Sequence, residues 1–215
     1  MGPFLDESHQ NISDAAMAES FDSFFETLIG CVMTPLEGLN VQVVLLPSQK
    51  DVHHHVVFPT PPYILKKKYS NLHCLSDPVM LNIEGLIIGC TTTDILLHLG
   101  KEEVCSSSQS GDRMSRLASH LISQQSFYPL FPADKELCVD HELLEQHAVM
   151  DVIPHILMVP SNLRYFMKQI NGCTVINPER LTKGYVGGTF CQIQVFPSVA
   201  GEPLTDNIVA KVVRI

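Results

Sequence analysis

The longest apolar runs in this chain, around Val41–Leu46 and Ile83–Cys90, are no longer than a strand. A helix needs roughly 18 to 20 apolar residues to cross a bilayer, so no run here spans a membrane. Each must find strand neighbours and an apolar layer to cover it, which predicts a soluble, sheet-containing fold. Core material is plentiful: 45% of the 215 residues are hydrophobic and 17% are charged, which excludes disorder along the whole chain. At this length a compact fold buries roughly 70% of the surface of its unfolded chain, so neither disulfides nor a structural metal is needed. One domain is the default and two small ones the alternative.

Between these runs the spacing is helical. Apolar residues recur at Ala16, Met17, Phe21, Phe24, Phe25, Leu28 and Ile29, which predicts the longest helix over Ser13–Met33, entered through Ser13 or Asp14. Val41–Leu46 reads as a buried strand stopped by Pro47, and Pro59-Thr60-Pro61-Pro62 places a long loop after it. Met80–Ile83 and Leu86–Cys90 read as a hairpin around Glu84-Gly85, with Thr93 or Asp94 capping a short helix to Leu99. Ser106–Gly111 is a flexible connection, and Asp112–Gln124 a second helix with Met114, Leu117, Leu121 and Ile122 on one side. His155–Val159 is a strand, Pro160-Ser161 turns into a short helix to Met167, and Cys173–Ile176 is a further strand. Two long strands, Thr189–Phe196 and Asn207–Ile215, close the chain. Strands alternating with helices before a final strand pair predict an α/β layered fold with an antiparallel closing edge.

Fourteen basic against twenty-three acidic residues give a net charge of -9, which repels phosphate backbones and predicts little direct nucleic-acid binding. The seven cysteines form no C-x-x-C pair and sit mostly beside apolar neighbours, as reduced core thiols in a cytosolic or nuclear protein do. Asp6 and Glu7 stand where a signal peptide would be basic and then apolar.

Five blocks carry a resemblance: Gly2–Asp6 (GPFLD), Leu46–His54 (LPSQKDVHH), Tyr128–Pro132 (YPLFP), Pro160–Phe166 (PSNLRYF) and Asn177–Phe190 (NPERLTKGYVGGTF). Together, in this order and from end to end, they resemble the B subunits of eukaryotic DNA polymerase alpha. The resemblance implies a calcineurin-like phosphoesterase fold that has lost its activity and serves as a scaffold. An active enzyme of this fold clamps two metal ions with Asp, His and Asn side chains at strand ends. Aligned on that pattern, the G-D-x-x-D element falls on Gly2–Asp6, where Pro3 replaces the bridging aspartate. The G-N-H-D/E element falls on Ser48–Asp51, with Gln49 for the asparagine ligand and Lys50 for the phosphate-facing histidine. An ammonium there would repel divalent cations. The late G-H-x-H falls near Ser161–Arg164 without a histidine, the mid-chain histidine has its counterpart around Gln124-Gln125, and the first D-x-H element belongs upstream of Met1.

Other constellations are weaker. His53-His54-His55 are consecutive, point in different directions in an extended segment, and have no further ligand placed near in sequence to complete a tetrahedron, so they read as loop. Lys66-Lys67-Lys68 reads as a solvated face. Lys183-Gly184 with Gly187-Gly188-Thr189 has the lysine before the glycines, the wrong order for a phosphate loop. Asp94 and His98 read as an exposed i, i+4 contact, and Ser107 and Ser108 as loop without nucleophile-elbow glycines.

The expectation is therefore a chain with no catalytic, cofactor-binding or metal-binding residues and no cofactor. By resemblance, residues 1–215 form part of an inactive phosphoesterase-like domain whose N-terminal portion is missing, with an OB-fold and an N-terminal helical domain upstream. The implied partner is the C-terminal, zinc-bearing region of the polymerase alpha catalytic subunit, with the primase subunits engaged indirectly, in the nucleus during the initiation of DNA replication. The rivals are an active metal-dependent phosphoesterase and an accessory subunit of another replicative polymerase.

Overall fold

The computed structural model describes residues 1–13, 19–104, 112–196 and 207–215. The chain opens with α1 (Gln10–Ser13) and α2 (Phe21–Met33), a 3-10 turn at Thr34–Leu36, and the strands β1 (Val43–Leu45), β2 (Leu72–Cys74), β3 (Val79–Ile83) and β4 (Leu86–Cys90). The helices α3 (Ile95–Glu102), α4 (Arg113–Gln124) and α5 (His141–His147) follow. Then come β5 (Ile156–Met158), β6 (Phe166–Ile170), β7 (Cys173–Asn177), β8 (Thr182–Lys183), β9 (Val186–Gly187), β10 (Thr189–Val195) and β11 (Ile208–Arg214). The architecture is mixed α/β with several sheets and, among the described residues, no closed barrel. Among the described residues, no helix is long and apolar enough to cross a membrane.

The main sheet has five strands in the order β3-β4-β5-β7-β6. Its centre, β4-β5-β7, is parallel, and antiparallel strands β3 and β6 close its two edges. Side-chain alternation divides the apolar residues between two layers. Leu157, Cys173, Val175 and Phe166 face the larger core with Ile95 and Leu96 of α3 and Leu117, Ala118, Leu121 and Ile122 of α4. Leu86, Ile88, Ile156, Met158 and Ile176 face the other way, onto Cys191, Ile193, Ile208 and Ala210 of β10 and β11. The final strand pair is thus a separate antiparallel ribbon lying across one face, not the edge expected from the sequence. The alternating apolar residues of both strands need a layer to cover them, and the sheet's second face supplies it.

A second core joins Phe25, Ile29 and Met33 of α2 to Leu5, Leu45 and Tyr63. Within it β1 pairs in parallel with β2 alone, and Val43 and Val44 are only half-buried, so β1 is not the strand embedded on both faces that its β-branched run suggests.

The caps explain most helix limits. Asp94 accepts the Leu97 amide at 3.1 Å, as the sequence indicates for α3, although α3 runs on to Glu102; Asp112, read from the sequence as the first residue of α4, is its cap and accepts the Ser115 amide at 3.3 Å. α2 starts later than expected, because Ser20 accepts the Ser23 amide and so caps it, while Ser13 ends α1. Ala16 and Met17, the connection Ser106–Gly111 with Ser107 and Ser108, and the loop between β10 and β11 lie outside the described residues.

The expected helix to Met167 is absent: residues 162–165 bend without regular structure and Phe166 begins β6. The cause lies downstream, where Asn171 and Gly172 take φ of 48° and 81° and turn β6 back onto β7 with Ile170 opposite Cys173. Asn-Gly is the preferred pair for a two-residue hairpin turn, since both central residues need positive φ. Cys31 and Cys138 are exposed rather than core thiols, whereas burial pushes Cys90 and Cys173 up to about 12.

Candidate functional site

In open α/β sheets the loops after the carboxyl ends of the strands form the usual binding crevice. Here those loops carry Ser48–Asp51 after β1, Thr91–Thr93 after β4, Ser161 after β5 and Asn177–Arg180 at the end of β7. Asp51 is the hub of the first loop, with 1% of its surface exposed. Its Oδ1 accepts the amides of Phe4 (2.6 Å) and Leu5 (2.8 Å), and its Oδ2 accepts the Ser48 amide (3.1 Å) and the Tyr63 hydroxyl. Burial, then the Asp51 charge, raises the Tyr63 phenol well above its ordinary range, so it remains a donor. Gly2 is packed against this hub: a Cβ there would lie 2.7 Å from Asp51 Oδ2 and 2.9 Å from the Ser48 nitrogen. The Gly2 amide donates to Leu46 O at 2.8 Å and the Val52 amide to Leu5 O at 3.0 Å, so the two motif segments are stitched side by side.

The other blocks converge on the same region. Asp6 lies 3.8 Å from the Arg180 guanidinium, whose Nε donates to Asn162 Oδ1. Asn177, fully buried, accepts the Ser161 and Glu179 amides at 2.9 Å and donates to the carbonyls of Leu163 and Arg164. The Asn162 amide donates to Asp94 Oδ2 at 2.8 Å. Sequence reasoning misses Arg180, because its place in the Asn177–Phe190 block, next to a turn glutamate, carries no chemical signal of its own. Gln49 is buried, and its Oε1 has no partner among the described residues. Gln125 stands apart from this group: it ends α4 and donates its side-chain amide to Met150 O at 3.2 Å.

Asp77 braces the next loop. It is completely buried, accepts the Thr92 amide at 2.8 Å on Oδ1, and has the Thr92 hydroxyl 2.6 Å from Oδ2. That hydroxyl also lies 2.8 Å from Pro47 O, and its single proton serves only one of these acceptors. A protonated Asp77 resolves the conflict by donating to Thr92 while Thr92 donates to Pro47. Burial accordingly pushes the Asp77 carboxyl up to about 6, against the lowering effect of the threonine hydrogen bonds. With a folded pKa above the unfolded value, its contribution to stability is complete below about pH 4 and is lost as pH rises through about 6. Wild type should lose on the order of 3 kcal/mol relative to Asp77→Asn between those limits. Denaturant titrations at intervals from pH 4 to 7 measure this; a constant difference would mean that Asp77 ionises normally in the fold.

The three histidine rings remain neighbours, with centroids 6.3 Å apart for His53 and His54 and 5.2 Å for His54 and His55, but each meets different surroundings. His53 packs against Phe25 (4.2 Å) and Tyr63 (5.5 Å), which also touch each other (4.7 Å), with burial lowering its pKa, His54 Nε2 lies 2.6 Å from Pro61 O, and His55 is exposed. A different trio, one that sequence spacing does not group, has ligand atoms within 4.8 Å of one another: His98, Asp134 and Glu136. The Lys101 ammonium already occupies it, 2.9 Å from Asp134 and 3.9 Å from Glu136. The Glu136 amide and Lys101 hold the Asp134 carboxyl below its usual range. His98 is buried against the Tyr128 hydroxyl at 3.1 Å, and Asp94 is a helix cap, so this pair is not the exposed i, i+4 contact expected. Lys67 rests over the Tyr69 ring, 4.7 Å from its centroid.

The arrangement defines a mixed α/β protein whose strand-end crevice is braced by its own carboxylates, amides and guanidinium. The chain belongs to the family of DNA polymerase alpha/epsilon B subunits, whose profile matches residues 1–168. It is 38% identical to the DNA polymerase alpha B subunit of Rattus norvegicus over its whole length, 39% to that of Drosophila melanogaster over its whole length, and 25% to that of Saccharomyces cerevisiae over 90% of the chain. It covers 37%, 35% and 34% of those proteins, so the chain spans about a third of the length of the curated relatives it matches.

Proposed function

We propose that this chain is a non-catalytic scaffold of the DNA polymerase alpha-primase assembly, part of an inactive calcineurin-like phosphoesterase domain that acts in the nucleus at the initiation of DNA replication. Its direct partner is the C-terminal, zinc-bearing region of the polymerase catalytic subunit, and primase is engaged through that subunit. The observation that carries this reading is the internal commitment of Asp51. The one carboxylate kept from the G-N-H-D/E element directs both oxygens at Phe4, Leu5, Ser48 and Tyr63, all within the protein. The metal-binding positions of the two elements, the bridging aspartate and the asparagine, hold Pro3 and Gln49, so the carboxylate that remains braces the loop in place of a metal centre. Asp6, the remaining acid of the G-D-x-x-D element, faces the Arg180 guanidinium at 3.8 Å, so its charge too is balanced inside the chain. On this reading no residue of the chain is catalytic, cofactor-binding or metal-binding. The relatives' greater length and the one-sided pairing of β1 favour a larger subunit in which an OB-fold and further strands adjoin this chain.

Incubation with a chromogenic phosphodiester and manganese, magnesium or zinc should give no turnover above the blank. Metal-dependent turnover that co-elutes with the chain and vanishes with chelator would establish the phosphoesterase rival instead.

A further inference from the structure

The hairpin of β8 and β9 reaches from the end of β7 to the first segment of the chain and meets it at two points. At its base Arg180 lies 3.8 Å from Asp6 and donates to Asn162 Oδ1, so one guanidinium joins the Gly2–Asp6 segment to the loop after β5. At its tip the Tyr185 hydroxyl donates to Asn11 Oδ1 at 2.5 Å, and the Tyr185 ring meets His9 edge-on with centroids 5.6 Å apart. The two sides of this contact differ in stiffness. The neck of the hairpin is closed by the Gly188 and Thr189 amides on the carbonyls of Leu181 and Arg180, at 2.8 and 2.9 Å, and by Lys183 on Glu179 at 2.6 Å. Gly188 lets it close this far, since a Cβ there would stand 2.1 Å from Arg180 O. The segment opposite is weaker. α1 has four residues, too few for a helix to sustain itself in water, and Ile12 is only half-buried against the second core. The Glu7 amide donates to Lys50 O at 3.0 Å, which lays the segment along the Ser48–Asp51 loop.

We propose that the β8–β9 hairpin is a rigid catch and that residues 6–12 are a flap which it latches over the Ser48–Asp51 loop, with Arg180 fastening one end and Tyr185 the other. Both fastenings are open to water: Tyr185 is 80% exposed, and the Arg180 and Asp6 side chains are 30% and 27% exposed. Polar contacts of this kind hold weakly, so the latch opens far more readily than the cores beneath it. Opening leaves the hairpin in place and frees the flap, releasing the Asp6 carboxylate from Arg180 and the Lys50 carbonyl from the Glu7 amide. The inference stands apart from the scaffold reading, because its readouts need no partner.

The test is hydrogen exchange on the full-length accessory subunit containing this chain, as wild type, Tyr185→Ala, Arg180→Ala and the double variant, with an unchanged melting temperature confirming the fold. The amides of residues 7–12 should exchange roughly tenfold faster in each single variant, while those of β4, β5 and β7 keep their rates. A latch needs both of its fastenings, so the double variant should exchange no faster than the single ones. Gly188→Ala changes the neck rather than either fastening, and should speed the same amides by displacing Arg180 and Tyr185 together. Unchanged rates at residues 7–12 in both single variants would overturn the inference. So would a double variant whose acceleration is the product of the two single ones, the mark of independent surface contacts.

Discussion

Asp51→Ala should abolish the folded state of the N-terminal half, because one substitution removes the acceptor for three backbone amides and a buried phenol. Phe4, Leu5, Ser48 and Tyr63 would each lose their carboxylate partner, the last three at buried positions and Phe4 at a half-buried one. Leaving a buried donor unsatisfied costs about 1–3 kcal/mol, and hydrogen bonds to a charged group contribute about 1.5–3 kcal/mol each. Even with partial rehydration the total should exceed about 4 kcal/mol, a large fraction of a typical domain's stability. Tyr63→Phe removes a single donor and should cost about 1.5–3 kcal/mol, measurable by denaturant unfolding. The ratio between the two variants is the informative quantity. An Asp51→Ala protein as stable as Tyr63→Phe would show that the carboxylate does not act as the hub of the loop.

That hub illustrates what the sequence makes legible and what it hides. The motif Ser48–Asp51 locates the carboxylate, and Gln49 and Lys50 replace the residues that metal chemistry would need. Where the carboxylate turns afterwards depends on Tyr63, whose position at the end of a Pro-rich loop has no periodicity to read. Strands flanked by clear turn residues are legible: the β3-β4 hairpin around Glu84-Gly85, and β10 with β11. So are α3 and α4, whose caps Asp94 and Asp112 immediately precede apolar periodicity. The start of β6 passes for helix because Pro160-Ser161 reads as a turn into one ending at Met167, and the decisive Asn171-Gly172 turn lies after it. β2 and α5 escape notice for lack of pattern: Leu72–Cys74 is short with a central histidine, and α5 buries no side chain fully. The ribbon's place across the sheet, like the Arg180 contact with Asp6, is a long-range packing outcome that local sequence does not encode.

The largest effect of all should come from the company the chain keeps. β1 bonds to β2 on one side only, so its alternate amides and carbonyls face a side where no strand lies among the described residues. An unpaired strand edge is a template for aggregation. Exposed apolar side chains such as Ile64, Phe131 and Tyr185, exposed to 95%, 83% and 80%, add surface that a docking partner would cover. Residues 1–215 expressed alone should therefore be poorly soluble or partly molten. Joined to the OB-fold region proposed above and mixed with the proposed partner, the catalytic subunit's C-terminal region, they should give a soluble complex.

Size exclusion with light scattering, combined with hydrogen exchange on the Val43–Leu45 amides, tests the scaffold account most directly. The expected result is a 1:1 complex with the catalytic subunit's C-terminal region, in which those amides are strongly protected, against an aggregated or fast-exchanging isolated chain. A monomeric isolated chain with Val43–Leu45 already protected to the same degree, and no co-elution with the catalytic subunit, would contradict it.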